Sequence, residues 1–289
     1  MRTPVDSEPP FSRVAIAGLG LIGGSIALAL RELWPSVTIL GHDRPEIAVP
    51  AQRLAVIDRA CIDVAGVAGA DLIVLAAPVP GILDLIAAIG QTGTRAVVTD
   101  VGSTKRAIMT AASKANGLAF VGGHPMAGAV RSGLSEARAD MFRDRPWLLV
   151  EGPASAEATD KVEHLVRCLG GVPHRVDAET HDRVMAYVSH LPQLLSVALM
   201  NVATDVVGDN GLSMAGPAFS AMTRLAASPI EMWGGILATN GDYIQDAIAH
   251  FSKCMPDRTT VDLQGWANEA FARAREVRAS TLPSDDRRR

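Results

Sequence analysis

The feature that most constrains the fold is a GxGxxG motif formed by Gly18, Gly20 and Gly23, which lies between a short apolar run and a predicted helix. In this strand–turn–helix context the first glycine permits a tight turn, and the second lets the backbone approach a pyrophosphate. The third lets the helix pack closely on the strand. The motif therefore predicts a dinucleotide-binding site, and we expect Leu21 and Ile22 to contribute to it.

An acidic residue supports this prediction, because Asp43 lies twenty positions after Gly23, at the end of the next predicted strand. A carboxylate there accepts hydrogen bonds from the ribose 2′-hydroxyl and repels a 2′-phosphate, which favours NAD. Arg44 keeps NADP open, since a guanidinium can stack on adenine or bind the 2′-phosphate; the alternative is a solvated loop charge. Ala77 and Pro78 follow a later predicted strand and are further candidates for cofactor binding.

The first part of the chain alternates short apolar runs with helical stretches. Continuous apolar strands separated by helices are typical of a parallel sheet that is covered on both faces. The predicted fold class is therefore α/β, with a doubly wound parallel sheet. The strands are predicted at residues 14–17, 37–40, 72–76, 96–99, 119–121, 148–150 and 174–176, and the helices at residues 24–33, 81–88, 105–114 and 156–169.

The second part of the chain is predicted to be all-helical, at residues 218–227, 229–240, 243–255 and 259–278 in addition to one long helix. That helix carries an apolar stripe with few charges, so we expect part of its surface to pair with another subunit; a self-contained bundle is the alternative. The stripe consists of Val184, Val188, Leu191, Leu195, Ala198 and Val202.

These patterns predict two domains, a dinucleotide-binding domain at residues 13–176 and a helical domain at residues 177–280. The polar termini, residues 1–12 and 281–289, are predicted to be disordered.

Composition excludes several classes of protein. A net charge of −4 with mixed signs offers no broad basic face for nucleic acid. The three cysteines and seven histidines show neither a disulfide framework nor metal-ligand spacing, so we expect a reducing cytoplasm and no structural metal. Residues 14–30 lack charge, yet their glycines favour burial in a water-soluble protein over a membrane span.

The candidate catalytic residue is His124, within the sequence GGHPMAG at residues 122–128. This stretch is so rich in glycine and proline that we expect a loop rather than a helix or strand. A nicotinamide-dependent dehydrogenase needs a base for the hydroxyl proton of its substrate, and imidazole serves near pH 7. Ser103, in the segment DVGSTK at residues 100–105, should lie at the same sheet edge; capping of the next helix by Ser103 or Thr104 is the alternative.

Five segments of the chain resemble the prephenate and arogenate dehydrogenases of tyrosine biosynthesis, over roughly residues 13–270. The resemblance implies a Rossmann-type domain followed by a helical dimerisation domain, and hence a homodimer. The segments are GLGLIGGS at residues 18–25, DVGSTK at 100–105, GGHPMAG at 122–128, SHLP at 189–192 and TRLAASPIEMW at 223–233.

The same resemblance implies the chemistry, an NAD-dependent oxidative decarboxylation of prephenate to 4-hydroxyphenylpyruvate. His124 would take the ring hydroxyl proton, and Ser103 would hydrogen-bond beside it. Two substrate carboxylates require a cation, and Arg224 is the candidate because its planar fork suits a carboxylate. An arginine that pairs with a structural acid or caps a helix is the alternative.

The segment SHLP contributes further candidates, Ser189 and His190, just before Pro192. Because proline removes a backbone hydrogen bond, we expect a kink there, and His190 could either contact substrate or satisfy the loosened carbonyl groups. The family often has HLPH, whereas this chain has Gln193. By the resemblance this position is expected near the pyruvyl or alanyl side chain, where the two substrates differ. Gln193 is therefore a candidate substrate contact, and it leaves the choice between prephenate and arogenate open.

The sequence disfavours two other classes of protein. A β-hydroxyacid dehydrogenase or imine reductase commonly uses a lysine in the first helix of its second domain, but no lysine lies between Lys161 and Lys253. A protein that senses NAD without catalysis would leave the GGHPMAG sequence unexplained.

Overall fold

The structure is a computed structural model that describes residues 8–115, 117–128, 133–257, 259 and 262–281. Most of the two termini predicted to be disordered, residues 1–7 and 282–289, lie outside this range. Phe11, however, is buried in the apolar core, and the backbone N–H of Ser12 donates to Asp71. The predicted disordered segment is therefore too long at its end, because Phe11 packs in the core before residue 13.

An eight-stranded sheet forms the centre of the first part of the chain, with strand order β3-β2-β1-β4-β5-β6-β7-β8. Neighbouring strands are parallel, as predicted, except that β6 and β7 are antiparallel. The strands are β1 Arg13–Ala17, β2 Thr38–His42, β3 Arg59–Cys61, β4 Leu72–Leu75, β5 Val97–Asp100, β6 Ala119–Pro125, β7 Pro146–Val150 and β8 Val172–Arg175.

Helices cover both faces of the sheet, which confirms the doubly wound class. Successive strand residues point to opposite faces, so Val14 and Ile16 belong to one apolar cluster while Ala15 and Ala17 belong to the other. The helices of this part are α1 Leu21–Leu33, α2 Pro45–Arg53, α3 Val79–Gly90, α4 Arg106–Lys114 and α5 Ala156–Cys168.

From residue 178 onward the elements are helical, as predicted. Helix α6 passes into α7 through one π-helical turn, Ala186–His190, just before Pro192. Helix α9 has one non-helical residue, Asn240, where a break between two helices is predicted. These helices are α6 Ala178–Met185, α7 Leu191–Leu212, α8 Pro217–Thr223, α9 Ile230–Cys254 and α10 Leu263–Thr281, with a 3-10 turn at Arg224–Ala227.

Contacts divide the chain into two compact units, Met1–Ile244 and Gln245–Arg289, and the site described below lies entirely in the first. Within the described residues, one continuous helical stretch, Ala178–Leu212, is long and apolar enough by length and composition to cross a membrane. Only 17% of its most apolar window is buried in the single chain. A long apolar helix of a protein that lies outside the membrane meets the same criteria, so this finding by itself is weak evidence for a membrane span.

Candidate active site

The predicted site residues lie where four neighbouring strands end. Gly18 follows β1, Ala77 and Pro78 follow β4, Ser103 follows β5, and His124 lies in the last part of β6. Because β1, β4, β5 and β6 are parallel, their carboxyl ends share one edge of the sheet. Ligands of doubly wound proteins bind at this edge.

His124 lies in a strand, so the predicted loop is wrong. Beyond Val121, β6 leaves β5 and pairs with β7, which places His124 opposite Leu148. A Cβ atom on Gly123 would lie 2.4 Å from the backbone oxygen of Asp100. Glycine is therefore required here for the close approach of two backbones, and its presence did not indicate a loop.

The glycine-rich turn has the geometry of a phosphate-binding loop. Gly18 has φ +103°, and a Cβ atom there would lie 2.4 Å from the backbone oxygen of Ala76. A Cβ atom on Gly23 would lie 1.9 Å from the oxygen of Gly18, whereas one on Gly20 would meet no protein atom within 4 Å. The open space at Gly20, in front of the N-terminus of α1, fits a pyrophosphate. Leu21 and Ile22, in the first turn of α1, are partly buried.

Asp43 is joined to this turn, because its Oδ2 atom accepts from the Leu19 N–H at 2.7 Å and its Oδ1 atom accepts from the Arg44 N–H at 2.7 Å. The Arg44 side chain is exposed, with Nη1 3.5 Å from Oε1 of Glu46. On the other side of the turn, Ala77 is partly buried and Pro78 is exposed. These residues fit a dinucleotide whose ribose reaches Asp43.

His124 belongs to a hydrogen-bonded chain of side chains. Its Nδ1 atom lies 2.9 Å from Nε2 of His181, and Nδ1 of His181 lies 2.7 Å from Oδ1 of Asp182. His181 and Asp182 are fully buried, while His124 is partly exposed. The resulting chain places a carboxylate two hydrogen bonds behind the candidate base.

Asp182 also caps helix α4. Its carboxylate accepts from the backbone N–H of Lys105 at 2.6 Å, from that of Arg106 at 3.0 Å and from Nε of Arg106 at 3.3 Å. These bonds satisfy N–H groups that a helix start leaves without partners. The alternative, in which Ser103 or Thr104 caps this helix, does not agree with the structure. The N-cap residue of α4 is Lys105, and the Thr104 hydroxyl is hydrogen-bonded to that of Thr239 at 2.8 Å.

A buried ion pair lies under the same strand ends. Lys105 Nζ bonds Oδ2 of Asp100, and both side chains are fully buried. Asp100 also accepts from the backbone N–H groups of Gly102 at 2.7 Å and Gly123 at 3.0 Å. This carboxylate therefore fixes β6 next to His124, while burial, only partly offset by Asp100, lowers the pKa of Lys105.

The imidazoles of the site are held neutral. Burial lowers the pKa of His124 well below its usual value, and the positive charge of Lys105 lowers it further. Burial also lowers the pKa of His181, against the opposing effect of Asp182. For Asp182, burial acts to raise the pKa, but hydrogen bonds from His181 and the α4 backbone hold it below its ordinary value. A neutral imidazole beside an ionised carboxylate can accept a proton.

His190 is placed at the wall of this network. Its Nδ1 atom lies 3.2 Å from the amide nitrogen of Asn240, which also donates to the backbone oxygen of Asp182 at 2.8 Å. The His190 ring meets Trp233 edge-on, with ring centroids 5.9 Å apart. Burial lowers the pKa of His190 to about 4. The described hydrogen bond of His190 is thus to a side-chain amide and not to a backbone carbonyl group. His190 lies in a π-helical turn, a feature common at functional sites.

The predicted substrate-binding residues lie apart from this hydrogen-bonded chain. Gln193 is buried, donating to the backbone oxygen of Leu225 at 2.8 Å and accepting from the Ser228 hydroxyl at 3.3 Å. Arg224 lies in the adjoining 3-10 turn, is exposed, and has no ion-pair partner among the described residues. Ser189 is partly exposed. Gln193 thus holds the turn that carries Arg224, and no hydrogen bond of the described residues links this group to His124.

Ser103 is partly exposed in the loop between β5 and α4, and the described residues contain no hydrogen bond from its hydroxyl to His124. His181, Asp182 and Asn240 are site residues that the sequence did not reveal. Asp100 and Lys105 belong to the DVGSTK segment, but the sequence indicated no role for them beyond their closeness to Ser103. Across the described part of the chain, no group of three His, Cys, Asp or Glu side chains could hold a metal ion.

A dinucleotide-binding turn and a neutral histidine at one edge of a doubly wound sheet define a nicotinamide-nucleotide-dependent dehydrogenase with a helical second part. The family model for the nucleotide-binding domain of prephenate dehydrogenase matches residues 26–176, and that for its dimerization domain matches residues 177–268. The chain therefore belongs to the prephenate dehydrogenase family.

Curated relatives agree with this assignment. The prephenate dehydrogenase of Bacillus subtilis is 37% identical over 246 residues, which are 81% of this chain and 65% of the relative. That of Lactococcus lactis is 33% identical over 250 residues, 84% of this chain and 69% of the relative. The chain thus spans about two thirds of the length of these two proteins.

Among solved structures, the prephenate dehydrogenase from Aquifex aeolicus in complex with hydroxyphenyl propionate and NAD+ has a TM-score of 0.84. It is 28% identical in sequence, and the match covers 93% of this chain and 96% of that one.

Proposed function

We propose that this chain oxidises and decarboxylates prephenate to 4-hydroxyphenylpyruvate, with His124 as the base. The observation that carries the proposal is the neutral, partly exposed imidazole of His124 at the sheet edge where the dinucleotide-binding turn opens. A base at this position lies on the side of the sheet where a bound substrate would meet the cofactor.

The chemistry follows the substrate atoms. NAD, when bound, supplies the acceptor for the hydride that leaves C4 of the ring. His124 takes the C4 hydroxyl proton as carbonyl character develops, and loss of CO₂ from C1 makes the ring aromatic. The ring oxygen then regains the proton from His124, so the imidazole ends the cycle neutral and no net proton is released.

Arg224 is the proposed contact for a substrate carboxylate, with Ser189 and His190 in the wall of the same site. The exposed guanidinium without an ion-pair partner supports this role for Arg224. Gln193 supports it indirectly, because its amide is bonded to the turn that carries Arg224. Ser103 is proposed to hydrogen-bond to the substrate beside His124.

The assembly is proposed to be a cytoplasmic homodimer formed through the helical domain, residues 177–280, with the dinucleotide-binding domain at residues 13–176. Two observations support a second copy as the partner: the matching family model is that of a dimerization domain, and α7 leaves apolar side chains exposed in the single chain. A membrane is the other surface that could cover this face.

The test is formation of reduced cofactor from prephenate and from arogenate in parallel, each with NAD and with NADP. We expect the highest kcat/KM with prephenate and NAD. A higher kcat/KM with arogenate would identify an arogenate dehydrogenase, the alternative that Gln193 leaves open. Binding of NAD without turnover of either substrate would indicate a non-catalytic sensor and overturn the proposal.

A further inference from the structure

We propose that His181 and Asp182 are positioning residues that hold His124 in one tautomer, with its proton on Nδ1 and its lone pair on Nε2. The role for this lone pair rests on the proposed function, in which His124 is the base. The tautomer itself is a property of the protein without ligands and can be tested separately.

The tautomer follows from the order of donors and acceptors. Asp182 is an ionised carboxylate and can only accept, so Nδ1 of His181 must carry the proton in their 2.7 Å contact. A neutral His181 then has its lone pair on Nε2 and accepts a hydrogen bond. In the 2.9 Å contact between the two imidazoles, His124 must therefore donate from Nδ1, which leaves Nε2 of His124 as the basic atom.

The rest of the network prevents His181 and Asp182 from rotating. Asp182 accepts four hydrogen bonds, one from His181 and three from the start of α4. Its backbone oxygen accepts from Asn240, so the carboxylate is fixed from both its side chain and its main chain. A fully buried His181 between such a carboxylate and His124 has one satisfied orientation.

The titratable groups around His124 come from β5, α4, α6 and the π-helical turn. Lys105, at the start of α4, lies against Asp100 at the end of β5, and the two charges oppose each other. His190, in the π-helical turn, is neutral at ordinary pH because burial lowers its pKa to about 4. Asp182, in α6, is the ionised carboxylate that is connected to His124 by hydrogen bonds through His181. When His124 gains a proton on Nε2, its Nδ1–H continues to donate to His181, and the chain to Asp182 stabilises the imidazolium.

The first experiment measures the tautomers in the whole chain without ligands, by ¹⁵N–¹H NMR of the imidazole nitrogens near neutral pH, assigned with His124→Asn and His181→Gln. We expect both His124 and His181 to be neutral, with protonated Nδ1 and unprotonated Nε2. A proton on Nε2 of His124, or a charged His181, would overturn the proposal. This result does not depend on the substrate, so it distinguishes failure of the tautomer from failure of the proposed function.

The second experiment compares His181→Leu with His181→Gln, using His174→Gln on the exposed strand β8 as the matched control. Removal of an orienting partner typically costs 10- to 100-fold, and we expect a loss of about that size in kcat for His181→Leu, with KM little changed. His181→Gln should recover part of the loss, because its amide oxygen can accept from His124 and its amide N–H can donate to Asp182. The control should retain the kcat of the natural sequence.

The pH profile separates positioning from a loss of structure. Without the chain to Asp182, the imidazolium of His124 is less stable, so in His181→Leu the apparent pKa of the group that must be deprotonated should fall. NAD binding and thermal unfolding confirm that the variant is folded. An unchanged kcat and pH profile in a folded His181→Leu variant, or a change confined to KM, would contradict the proposal. If that variant does not fold, His181→Gln and the tautomer measurement still decide.

Discussion

The sheet and the helices that follow it differ in how they bury apolar side chains. Strands β1 and β4 bury Ile16 and Ile73 completely. Val14 and Ala15 of β1, and Leu72 and Leu75 of β4, are also fully buried. Helix α7 leaves Val202 60% and Val206 77% exposed in the single chain. The sheet therefore buries its apolar side chains within the single chain, whereas helix α7 leaves an apolar surface uncovered, the surface proposed above for a second copy. The candidate site draws His124 from the first region and Asp182 from the second.

The largest expected effect tests the contribution of the sheet. Replacing His124 with Asn removes the base but keeps a side chain of similar polarity. We expect kcat to fall about 10²- to 10⁴-fold with KM little changed, because a positioned acid–base group contributes in this range. Steady-state rates of reduced cofactor formation measure it. A near-normal kcat would mean that another group takes the proton.

The next prediction tests the contribution of the helices. Val202 and Val206 lie one turn apart on α7, and charging both in Val202→Asp/Val206→Asp should disrupt a dimer. Because a buried valine contributes about 1.5–3 kcal/mol, we expect the dimer to dissociate at roughly 10³-fold higher concentration. Sedimentation of the purified protein measures this.

Thr204→Asp, which adds one negative charge on the opposite side of the helix, is the control and should remain dimeric. If the unsubstituted protein is monomeric in solution, the exposed face of α7 is not a dimer interface and the prediction is wrong. Binding of that monomer to lipid vesicles would then favour a membrane as the occupant of the face.

A third prediction concerns the exposed turn between α8 and α9. Arg224→Ala should weaken substrate binding by about 1.5–3 kcal/mol, the usual range for a charged hydrogen bond. We expect KM to rise about 10- to 150-fold while NAD binding is unchanged. If KM stays the same, the substrate carboxylate is bound elsewhere.

The fourth prediction concerns how the free energy of unfolding depends on pH through His190, which lies beside the residues that join the two regions. Burial lowers the pKa of His190 to about 4 from its ordinary 6.5, so the unfolded chain binds the proton more tightly. The free energy of unfolding must then decrease as pH falls below about 6.5, by about 2 kcal/mol at pH 5 from this group. Denaturant unfolding at several pH values measures the decrease. His190→Gln should make it smaller, and an equal pH dependence in both proteins would refute the role of His190.

The smallest effect concerns the cofactor. Asp43→Ser should weaken NAD by about tenfold and NADP by less, because only the 2′-phosphate is repelled by a carboxylate. Calorimetric titration with each cofactor measures the difference. Equal losses would indicate that Asp43 acts only through its bond to the Leu19 N–H.

The sequence predicted most of the fold because its strands are continuous apolar runs and its helix breaks coincide with glycine, proline or asparagine. Strand β3 and helix α2 were missed for local reasons. Strand β3 has three residues, of which only Cys61 is buried. Helix α2 contains Pro50, and its buried residues are only Ala48 and Ala51. The antiparallel pairing of β6 and β7 was also missed, since apolar content does not encode strand direction.

The candidate site was predictable only where its residues share a motif. His124 could be identified from its sequence surroundings, although its strand could not, because Gly123 serves close packing there. Nothing in the sequence joins position 124 to positions 181 and 182, since that contact depends on how α6 docks at the start of α4. The bonds of Gln193 to Leu225 and Ser228 are tertiary in the same way.

The cap that Asp182 provides has a consequence for how this enzyme loses activity. The amide protons of Lys105 and Arg106 are hydrogen-bonded to that carboxylate, which slows their exchange with water while it stays in place. Their hydrogen exchange should therefore report the fraction of molecules in which the imidazole pair is assembled. Fraying of the first turn of α4 would abolish activity while the sheet is still folded.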